Sequence, residues 1–546
     1  MESSDVTNFI NTSLINNCYS LREPGGIKGI GATDKETTAN ASIIGYAEEC
    51  TVTNTFAIGA NRAIGKVKDM NPASGNNYYV CDSTTYIGGP RDEEKEIETS
   101  DYEMRATTEQ MKSGQLAYWL NTLHTNELPA GYLNEIHPDW KLALRPWRQN
   151  LTGKDIDSSP NFDQTHDAVR IADITTLTHI ADAEELATFA QRVNDGDQFA
   201  CAVLDDDITL SGNWTPIGHN EHSKHFRGIF DGQGHTISGL NVEMNKEEDG
   251  AGLFGAVHSN AVIRNVTVDS TSEITNNGIG GAAGIVGLVY TKWMWSDVII
   301  ENCANYASVN ANKHAGGILG RVMTGENNGP SVNVHINNCY SMGTITAEHG
   351  NSALLCGYTK NHAHVSNSWS GGKLMNGQNK EIWPYSIEND ENHPVAECLV
   401  GYGTKFDLHS CYIVNPDNNV EQYKKYKDKY PLQAGVEIIS DASVSSGELT
   451  YTLNKGVVDG SQRWYQTVTG EHKDANPVLT KLKDGTNMVF RYGVEDAFRY
   501  ANSCCEDIRA VILGGTTLIA SPFTDIDLSG DTSVGDLLKF INAARK

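Results

Sequence analysis

The stretch Phe226-Arg-Gly-Ile-Phe-Asp-Gly-Gln-Gly-His-Thr-Ile-Ser-Gly-Leu240 opens a repetitive region that extends to residue 371. Within it, a Gly-aliphatic-x-Gly tetrad occurs at Gly252–Gly255, Gly284–Gly287 and Gly317–Gly320. The step from Gly252 to Gly284 is 32 residues and the step from Gly284 to Gly317 is 33. A repeat of this length that cannot bury its own apolar side chains predicts stacked structural units.

A second mark, an aliphatic residue two positions before Asn, alternates with the tetrads. It occurs at Ile263/Asn265, Ile300/Asn302, Ile336/Asn338 and Val365/Asn367. The intervening runs are short and β-branched and have no helical period, so they predict strands. Stacked coils would pair these strands, let each Asn bond to the Asn of neighbouring coils, and need Gly where backbones approach closely. The sequence therefore predicts an all-β fold, a parallel β-helix.

These motifs resemble the GLUG-motif family. The resemblance rests on Gly-Leu-Phe-Gly, Gly-Ile-Val-Gly and Gly-Ile-Leu-Gly, which follow Trp214-Thr-Pro-Ile-Gly218 and the Asp231-Gly-Gln-Gly turn. It implies a right-handed parallel β-helix in a secreted or surface protein, of a type frequent in gut Bacteroidetes and in the stalks of some surface proteases. Such a fold does not fix an activity.

Several sequence motifs of the first part of the chain recur in the same order in the second part, which predicts two tandem modules. Ile15-Asn-Asn-Cys-Tyr-Ser20 returns as Ile336-Asn-Asn-Cys-Tyr-Ser341, and Ser113–Asn121 is echoed by Ser446–Asn454. We expect an N-terminally truncated β-helix module with a closing cap over residues 1–165 and a complete module over 170–480. Residues 481–520 form an unassigned connector, and 521–546 a dockerin-like repeat.

Short helices are predicted to cap the modules. Asp182-Ala-Glu-Glu185 matches a capping box, and Asn194-Asp-Gly196 closes the helix. Leu186, Phe189, Ala190 and Val193 would share one face and plug the open end of the solenoid. The Ser113–Asn121 and Ser446–Asn454 segments predict further cap helices, followed by small hairpins marked by Trp and Pro.

Composition limits the partners. The chain has 69 acidic and 42 basic residues and a formal charge of −27, which disfavours nucleic acid and anionic membranes as partners. It contains no run of 18 apolar residues, so we expect no membrane-spanning segment. Met1–Asp5 lacks the features of a signal peptide, so the extracellular or cell-surface location that the resemblance implies requires a truncated N-terminus. The 11 cysteines indicate no disulfide framework, and Cys18, Cys303 and Cys339 are expected as small buried residues.

The C-terminal tail carries the clearest chemical signal. Oxygen ligands at loop positions 1, 3, 5 and 12, with Gly530 at position 6, match a calcium loop. The predicted calcium-binding residues are Asp525, Asp527, Ser529, Asp531 and Asp536. The loop resembles one half of a dockerin, which implies a cohesin-like partner, although a dockerin has two such loops. The alternative is an acidic surface turn.

Other side chains are weaker candidates. Trp293 and Trp295 alternate on a predicted extended segment and could bind a sugar face, or they could cover a loop. His219, His222 and His225 are spaced by three but lie in a predicted loop, which favours a structural role over a metal site. Asp205, Asp207 and Asp231 are the acids tied to coil marks, and Asp231 is assigned to its turn.

The leading hypothesis is a non-catalytic adhesin or stalk that presents a β-helix surface to a glycan or a host surface. One alternative is a β-helix polysaccharide lyase or glycoside hydrolase, which would need carboxylates gathered in a groove. Another is a scaffold component docked through the dockerin-like tail.

Overall fold

The computed structural model describes the solenoid and its caps. The described residues are 14–16, 18–20, 44–48, 51–58, 64–68, 75–80, 82, 104–122, 147–162, 168–221, 224–246, 249–290, 297–323, 334–349, 351–359, 363–377, 399–401, 406–415, 433–445, 447–454, 464–466 and 474–479.

The protein is a parallel β-solenoid, as predicted. Two eight-stranded parallel sheets extend along it. The first wall consists of Thr178–Ile180, Cys201–Leu204, Ile229–Asp231, Val262–Arg264, Val298–Glu301, Val334–Asn337, Ala363–Ser366 and Phe406–His409. The second wall consists of Ile208–Thr209, Thr236–Ser238, Thr267–Val268, Ala304–Asn305, Tyr340–Ser341, Trp369–Ser370, Cys411–Asn415 and Val436–Ser440. The right-handed sense of the coil stays a prediction.

Shorter parallel sheets complete the coils. The third wall is Asn241–Met244, Glu273–Asn276, Ser308–Ala311, Thr344–Ala347 and Lys373–Asn376. The fourth is Phe254–Val257, Val286–Tyr290, Leu319–Met323 and Cys356–Thr359, and the fifth is Gly281–Ala282, His314–Gly316 and Asn351–Ala353. The N-terminal part has Leu14–Asn16, Tyr19–Ser20, Thr51–Ile58, Gly75–Val80 and Met104–Ala106 in one sheet, and Ile44–Glu48 with Ile64–Lys68 in another.

An asparagine ladder follows the first wall, as the repeated Asn predicts. Asn265, Asn302, Asn338 and Asn367 all have φ between 51° and 56°, a left-handed conformation that Asn tolerates. Asn302 Nδ2 donates to Asn265 Oδ1 at 2.9 Å, and Asn367 Nδ2 donates to Asn338 Oδ1 at 2.9 Å. The ladder is interrupted between Asn302 and Asn338, where Asn302 Oδ1 is buried without a hydrogen-bond partner.

The tetrad glycines lie where adjacent coils touch. A Cβ on Gly284 would lie 2.1 Å from Asn305 Oδ1, and one on Gly287 would lie 2.3 Å from the Ala251 nitrogen. Because no side chain fits at such distances, the glycines are required by close packing of the coils.

One apolar core fills the solenoid and is closed by helix α3 at one end. The numbering is α1 (Thr108–Lys112), α2 (Gln115–Thr122) and α3 (Ala183–Asn194), and a 3₁₀ helix covers Ile171–Asp173. In α3 the predicted apolar face is buried, and the Phe189 ring packs against Phe226 and Phe230 at centroid distances of 6.3 and 6.1 Å. The predicted capping box differs in detail, because Glu185 Oε2 accepts from the Ala181 N–H and not from that of Asp182.

Two similar caps follow the sheets of the N-terminal part and of the main solenoid. The first contains α1, α2 and an antiparallel bridge between Arg148 and Asn161. The second contains α4 (Asp441–Ser445), α5 (Glu448–Leu453) and an antiparallel bridge between Tyr465 and Val478. The predicted helices are thus present, each followed by a single antiparallel bridge where a hairpin is predicted, and the module boundaries stay predictions.

These two caps cover a side of the coils. The second cap packs on outward-facing rings of the second wall, where Tyr340 and Trp369 stack at 5.1 Å and Trp464 lies 5.7 Å from Tyr340. In the N-terminal part, Tyr19 and Phe56 stack at 5.5 Å. Large aromatic surfaces that face outward on a strand therefore mark where a cap lies.

The described cysteines are free thiols. Cys303 and Cys339 are fully buried, as predicted, and Cys18 is half-buried. Burial raises the pKa of the Cys201 and Cys356 thiols to about 12, so both are protonated at neutral pH.

Candidate functional site

The outer face of the first wall changes character along the solenoid. One outward column is Cys201, Ile229, Val262, Ile299, His335, His364 and Asp407, with each residue in register with the next. Its first four members are apolar and buried, and the last three are polar. An outward-facing apolar column needs a cover, whereas polar side chains can face water.

The first cap covers the apolar half of this wall. The Trp119 ring meets Phe199 edge-on at 6.0 Å, and Gln115 Nε2 donates to the Phe199 carbonyl at 3.1 Å. The Arg264 guanidinium lies over the Tyr118 ring at 5.5 Å and is paired with Asp231 at 2.9 Å. The cap therefore joins the N-terminal sheets to the main solenoid.

The polar half holds a chain of paired side chains that we call the histidine row: Asp297, His335, His364 and Asp407. Asp297 Oδ2 accepts from His335 Nε2 at 2.7 Å, and both side chains are more than nine-tenths buried. The His335 and His364 rings stack at 5.1 Å with 14° between their planes. His364 Nδ1 lies 3.2 Å from Asp407 Oδ2, and the Asp407 side chain is 55% exposed.

This geometry orients both imidazoles. A carboxylate accepts only, so the ring nitrogen that faces it carries the proton, and in a neutral ring the other nitrogen is an acceptor. Such rings can bond to hydroxyl groups, act as bases or bind metal ions. Beside them, Ser366 Oγ donates to Asn337 Oδ1 at 2.8 Å, which extends the polar surface.

Sequence reasoning missed the histidine row. The available signal was a His between two inward apolar residues, in Val334-His335-Ile336 and in Ala363-His364-Val365, at the same distance before Asn338 and Asn367. Stacking the coils on their Asn marks would have placed the two rings side by side.

The acids selected from the sequence lie elsewhere. Asp207 Oδ1 lies 3.1 Å from His235 Nδ1 and accepts from the Thr236 N–H at 2.9 Å. Asp205 pairs with His179 at 3.0 Å. Among the described residues, Asp206, Asp207 and His235 bring three potential metal-ligand atoms within 4.8 Å of one another. In this cluster, at the start of the solenoid, the two aspartates are exposed and His235 is partly buried.

Asp231 has the structural role predicted for it. Its Oδ1 accepts from the Gln233 N–H at 2.9 Å and from Asn265 Nδ2 at 2.8 Å. Its Oδ2 accepts from Arg264 Nε at 2.9 Å. The carboxylate thus closes the turn and begins the asparagine ladder.

Two of the three closely spaced histidines contact different neighbours. His219 Nδ1 lies 3.9 Å from Asp249 Oδ2, and burial lowers the pKa of His219. His225 stacks on Tyr290 at 5.1 Å. His222 lies outside the described residues.

Other predicted site residues also lie outside the described part of the chain. They are Trp293 and Trp295, and the calcium-loop residues Asp525, Asp527, Ser529, Asp531 and Asp536. Within the described part, the helices are too short or too polar to cross a bilayer.

Comparisons with known proteins give two similarities, and no family model matches the chain. Halomucin of Haloquadratum walsbyi is 34% identical over 134 residues, which is 23% of this chain and 1% of halomucin. The chain thus spans a very small part of that protein. A crystal structure described as a putative immunoglobulin A1 protease from Bacteroides ovatus is 16% identical, with a TM-score of 0.36, and the likeness covers 55% of this chain and 91% of that one.

Proposed function

We propose that the chain is a non-catalytic extracellular or cell-surface adhesin or stalk that binds a glycan or a host surface through the polar half of the first wall. The proposal rests on one observation: the outward column of the first wall changes from apolar to polar side chains between the neighbours Ile299 and His335. The apolar half is covered by the first cap, whereas in the polar half the His364 and Asp407 side chains are partly exposed beside the buried His335.

The polar half suits recognition of hydroxyl groups. Successive strands place side chains about 4.8 Å apart, in rows that an extended chain could follow. His364 and Asp407 supply partly exposed donors and acceptors, and Asn337 and Ser366 are partly exposed beside them. Trp293 and Trp295, in the segment before Asp297, are proposed to add stacking surfaces for sugar rings.

An extracellular location is also proposed. It is favoured by the resemblance to the secreted GLUG-motif proteins and by the similarity to halomucin, whose name places it with the mucins. The acidic composition disfavours nucleic acid as the ligand.

A labelled full-length chain on a glycan array, followed by calorimetry on each glycan bound, tests the proposal. The double variant His364→Ala/Asp407→Ala should weaken binding at least tenfold, because each lost hydrogen bond to a charged group is worth about 1.5–3 kcal/mol. The exposed pair Glu348 and His349, 4.0 Å apart, provides the matched control Glu348→Ala/His349→Ala, which should bind like the wild type. Absence of binding to every glycan would contradict the proposal.

The polysaccharide lyase or hydrolase is a second candidate, favoured by the buried Asp297–His335 pair. A histidine oriented by a carboxylate is the arrangement of many general bases. If glycans released new reducing ends on incubation with the protein, and His335→Gln abolished that release, the enzyme would replace the adhesin.

The tail is proposed to bind calcium and to dock the chain on a cohesin-like partner as a scaffold component. Calorimetric calcium titration should give heat with the wild type and none with Asp525→Ala/Asp536→Ala, because both carboxylates are proposed ligands. Equal titrations of the two proteins would contradict this proposal.

A further inference from the structure

A cluster of cationic and aromatic side chains lies on the fourth and fifth walls, away from the histidine row. It contains Lys313, His314, Arg321 and Tyr358. Arg321 and Tyr358 are direct cross-strand neighbours, and the guanidinium carbon lies 5.8 Å from the Tyr358 ring centroid. The His314 ring packs against the same Tyr358 ring at 4.5 Å. We call these four residues the cationic cluster.

His314 is the unusual member. It is 8% exposed, and its Nδ1 has no hydrogen-bond partner. A buried polar atom without a partner costs about 1–3 kcal/mol, so native proteins rarely leave one unless a ligand or water completes it.

Among the described residues, the charged groups that act on His314 have one sign. Burial, together with Arg321 and Lys313, lowers the pKa of His314 to about 3. A nearby carboxylate would act in the opposite direction, and no carboxylate in the described part of the chain contributes to that shift. Lys313 is exposed and Arg321 is partly exposed, so a solute can reach the charges from outside.

We propose that the cationic cluster binds an anionic substituent, a carboxylate or sulfate group, of an acidic glycan. Arg321 and Lys313 supply the charge, and His314 supplies an Nδ1–H donor to the anion. Tyr358 offers a ring face for the sugar beside it. The inference rests on the proposed glycan-binding function and names the class of glycan.

The test is calorimetry of the full chain with three probes: an oligogalacturonate, a chondroitin sulfate oligosaccharide and a neutral maltooligosaccharide. One or both acidic probes should bind, and the neutral probe should bind at least tenfold more weakly. Lys313→Gln/Arg321→Gln should weaken acidic binding about tenfold or more, since a charge-assisted bond contributes at least one such factor. Which acidic probe binds distinguishes carboxylate from sulfate.

Matched variants make the result decisive. Lys373→Gln removes one exposed positive charge from the third wall of the same solenoid and should leave binding unchanged. His314→Phe keeps a ring against Tyr358 but removes the Nδ1 donor, and should also weaken acidic binding if thermal melting shows that it folds. Equal loss with Lys373→Gln, or no loss with Lys313→Gln/Arg321→Gln, would overturn the inference.

The outcome also separates this inference from the proposed function. Suppose that His364→Ala/Asp407→Ala weakens glycan binding and Lys313→Gln/Arg321→Gln does not. This result would support the proposed adhesin and would contradict the anion site. Absence of binding to all probes and to the array would remove both.

Discussion

Asn121 and Trp147 exchange two hydrogen bonds in the first cap. Asn121 Nδ2 donates to the Trp147 carbonyl at 2.8 Å, and the Trp147 N–H donates back to Asn121 Oδ1 at 2.7 Å. Asn454 and Trp464 make the same exchange in the second cap, at 2.8 and 3.0 Å. Asn121 and Asn454 are 333 positions apart, yet each connects the helix of its cap to the following segment by the same pair of hydrogen bonds.

Asn454→Ala is expected to destabilise the second cap. It leaves a buried backbone N–H and C=O of Trp464 without partners, which costs about 1–3 kcal/mol. Urea unfolding followed by tryptophan fluorescence measures the change. Asn310→Ala, at a half-buried position of the third wall, is the control, and an equal effect of both variants would contradict the role of the exchange.

Asn302 contributes to stability in two ways, through its hydrogen bond to Asn265 and through its tolerance of a left-handed backbone, and two substitutions separate them. Asn302→Gly keeps the left-handed φ of 53° but removes the bond to Asn265, which is worth about 0.5–1.5 kcal/mol. Asn302→Ala also adds backbone strain of about 1–2 kcal/mol. The free energy of unfolding is therefore expected to be highest for the wild type, lower for Asn302→Gly and lowest for Asn302→Ala. An Ala variant as stable as the Gly variant would show that the conformation is not strained.

Gly284→Ala should be among the most damaging small substitutions. Its Cβ would lie 2.1 Å from Oδ1 and 2.6 Å from Cγ of the buried Asn305 side chain, which would have to move and lose the hydrogen bond that it accepts from the Ala307 N–H. Gly212→Ala is the control, because Gly212 has a positive φ of 80° but open space around it, and should cost only about 1–2 kcal/mol. Thermal unfolding of both variants measures the two losses of stability. Equal losses would show that close packing is not the reason for glycine at position 284.

Cys201 reports on contact between the first cap and the solenoid. It lies in the covered apolar column, and burial raises the pKa of its thiol to about 12, so it should resist maleimide in the native protein. Trp119→Ala removes a large ring from that cover and should speed labelling of Cys201 in peptides identified by mass spectrometry. Cys356, buried in the solenoid core, should keep its slow rate in the same variant.

Stability should decrease in acid partly through His314. Its folded pKa of about 3 lies below the value of about 6.5 expected in the unfolded chain, so the unfolded state binds the proton first as the pH falls. The contribution is fully present above about pH 6.5 and is lost toward pH 3, with a slope of at most about 1.4 kcal/mol per pH unit. Urea unfolding at several pH values should show a smaller loss for His314→Phe than for the wild type. Parallel pH profiles would exclude His314 as a cause.

The fold could be predicted from the sequence because its determinants are local and repeat. Asn at a left-handed position, Gly at a coil contact and Asp182 before an amphipathic helix each have a short-range physical reason. The caps could be predicted because their helical segments, Ser113–Asn121 and Ser446–Asn454, are identical at six of nine positions.

The candidate site could not be predicted in the same way. His335 and His364 meet only through the register of strands in different coils, and Asp297 and Asp407 join them from two further coils. Loops of unequal length between the coils hide this register in the linear sequence. The first cap covers Ile229 and Val262 through contacts between segments that are distant in sequence. No local sequence pattern encodes such contacts.

The in-register stacking of the coils also bears on how such a rod can change length during evolution. Deleting residues 284–316 would place Gly317 where Gly284 stood, so that Leu319–Met323 would take the place of Val286–Tyr290 beside Phe254–Val257. Because successive coils stack in register, unequal recombination could add or remove whole coils, about 4.8 Å of reach at a time, wherever the caps still find apolar side chains to cover. Reach and the two proposed binding surfaces would then change together, because the histidine row and the cationic cluster are each built from more than one coil.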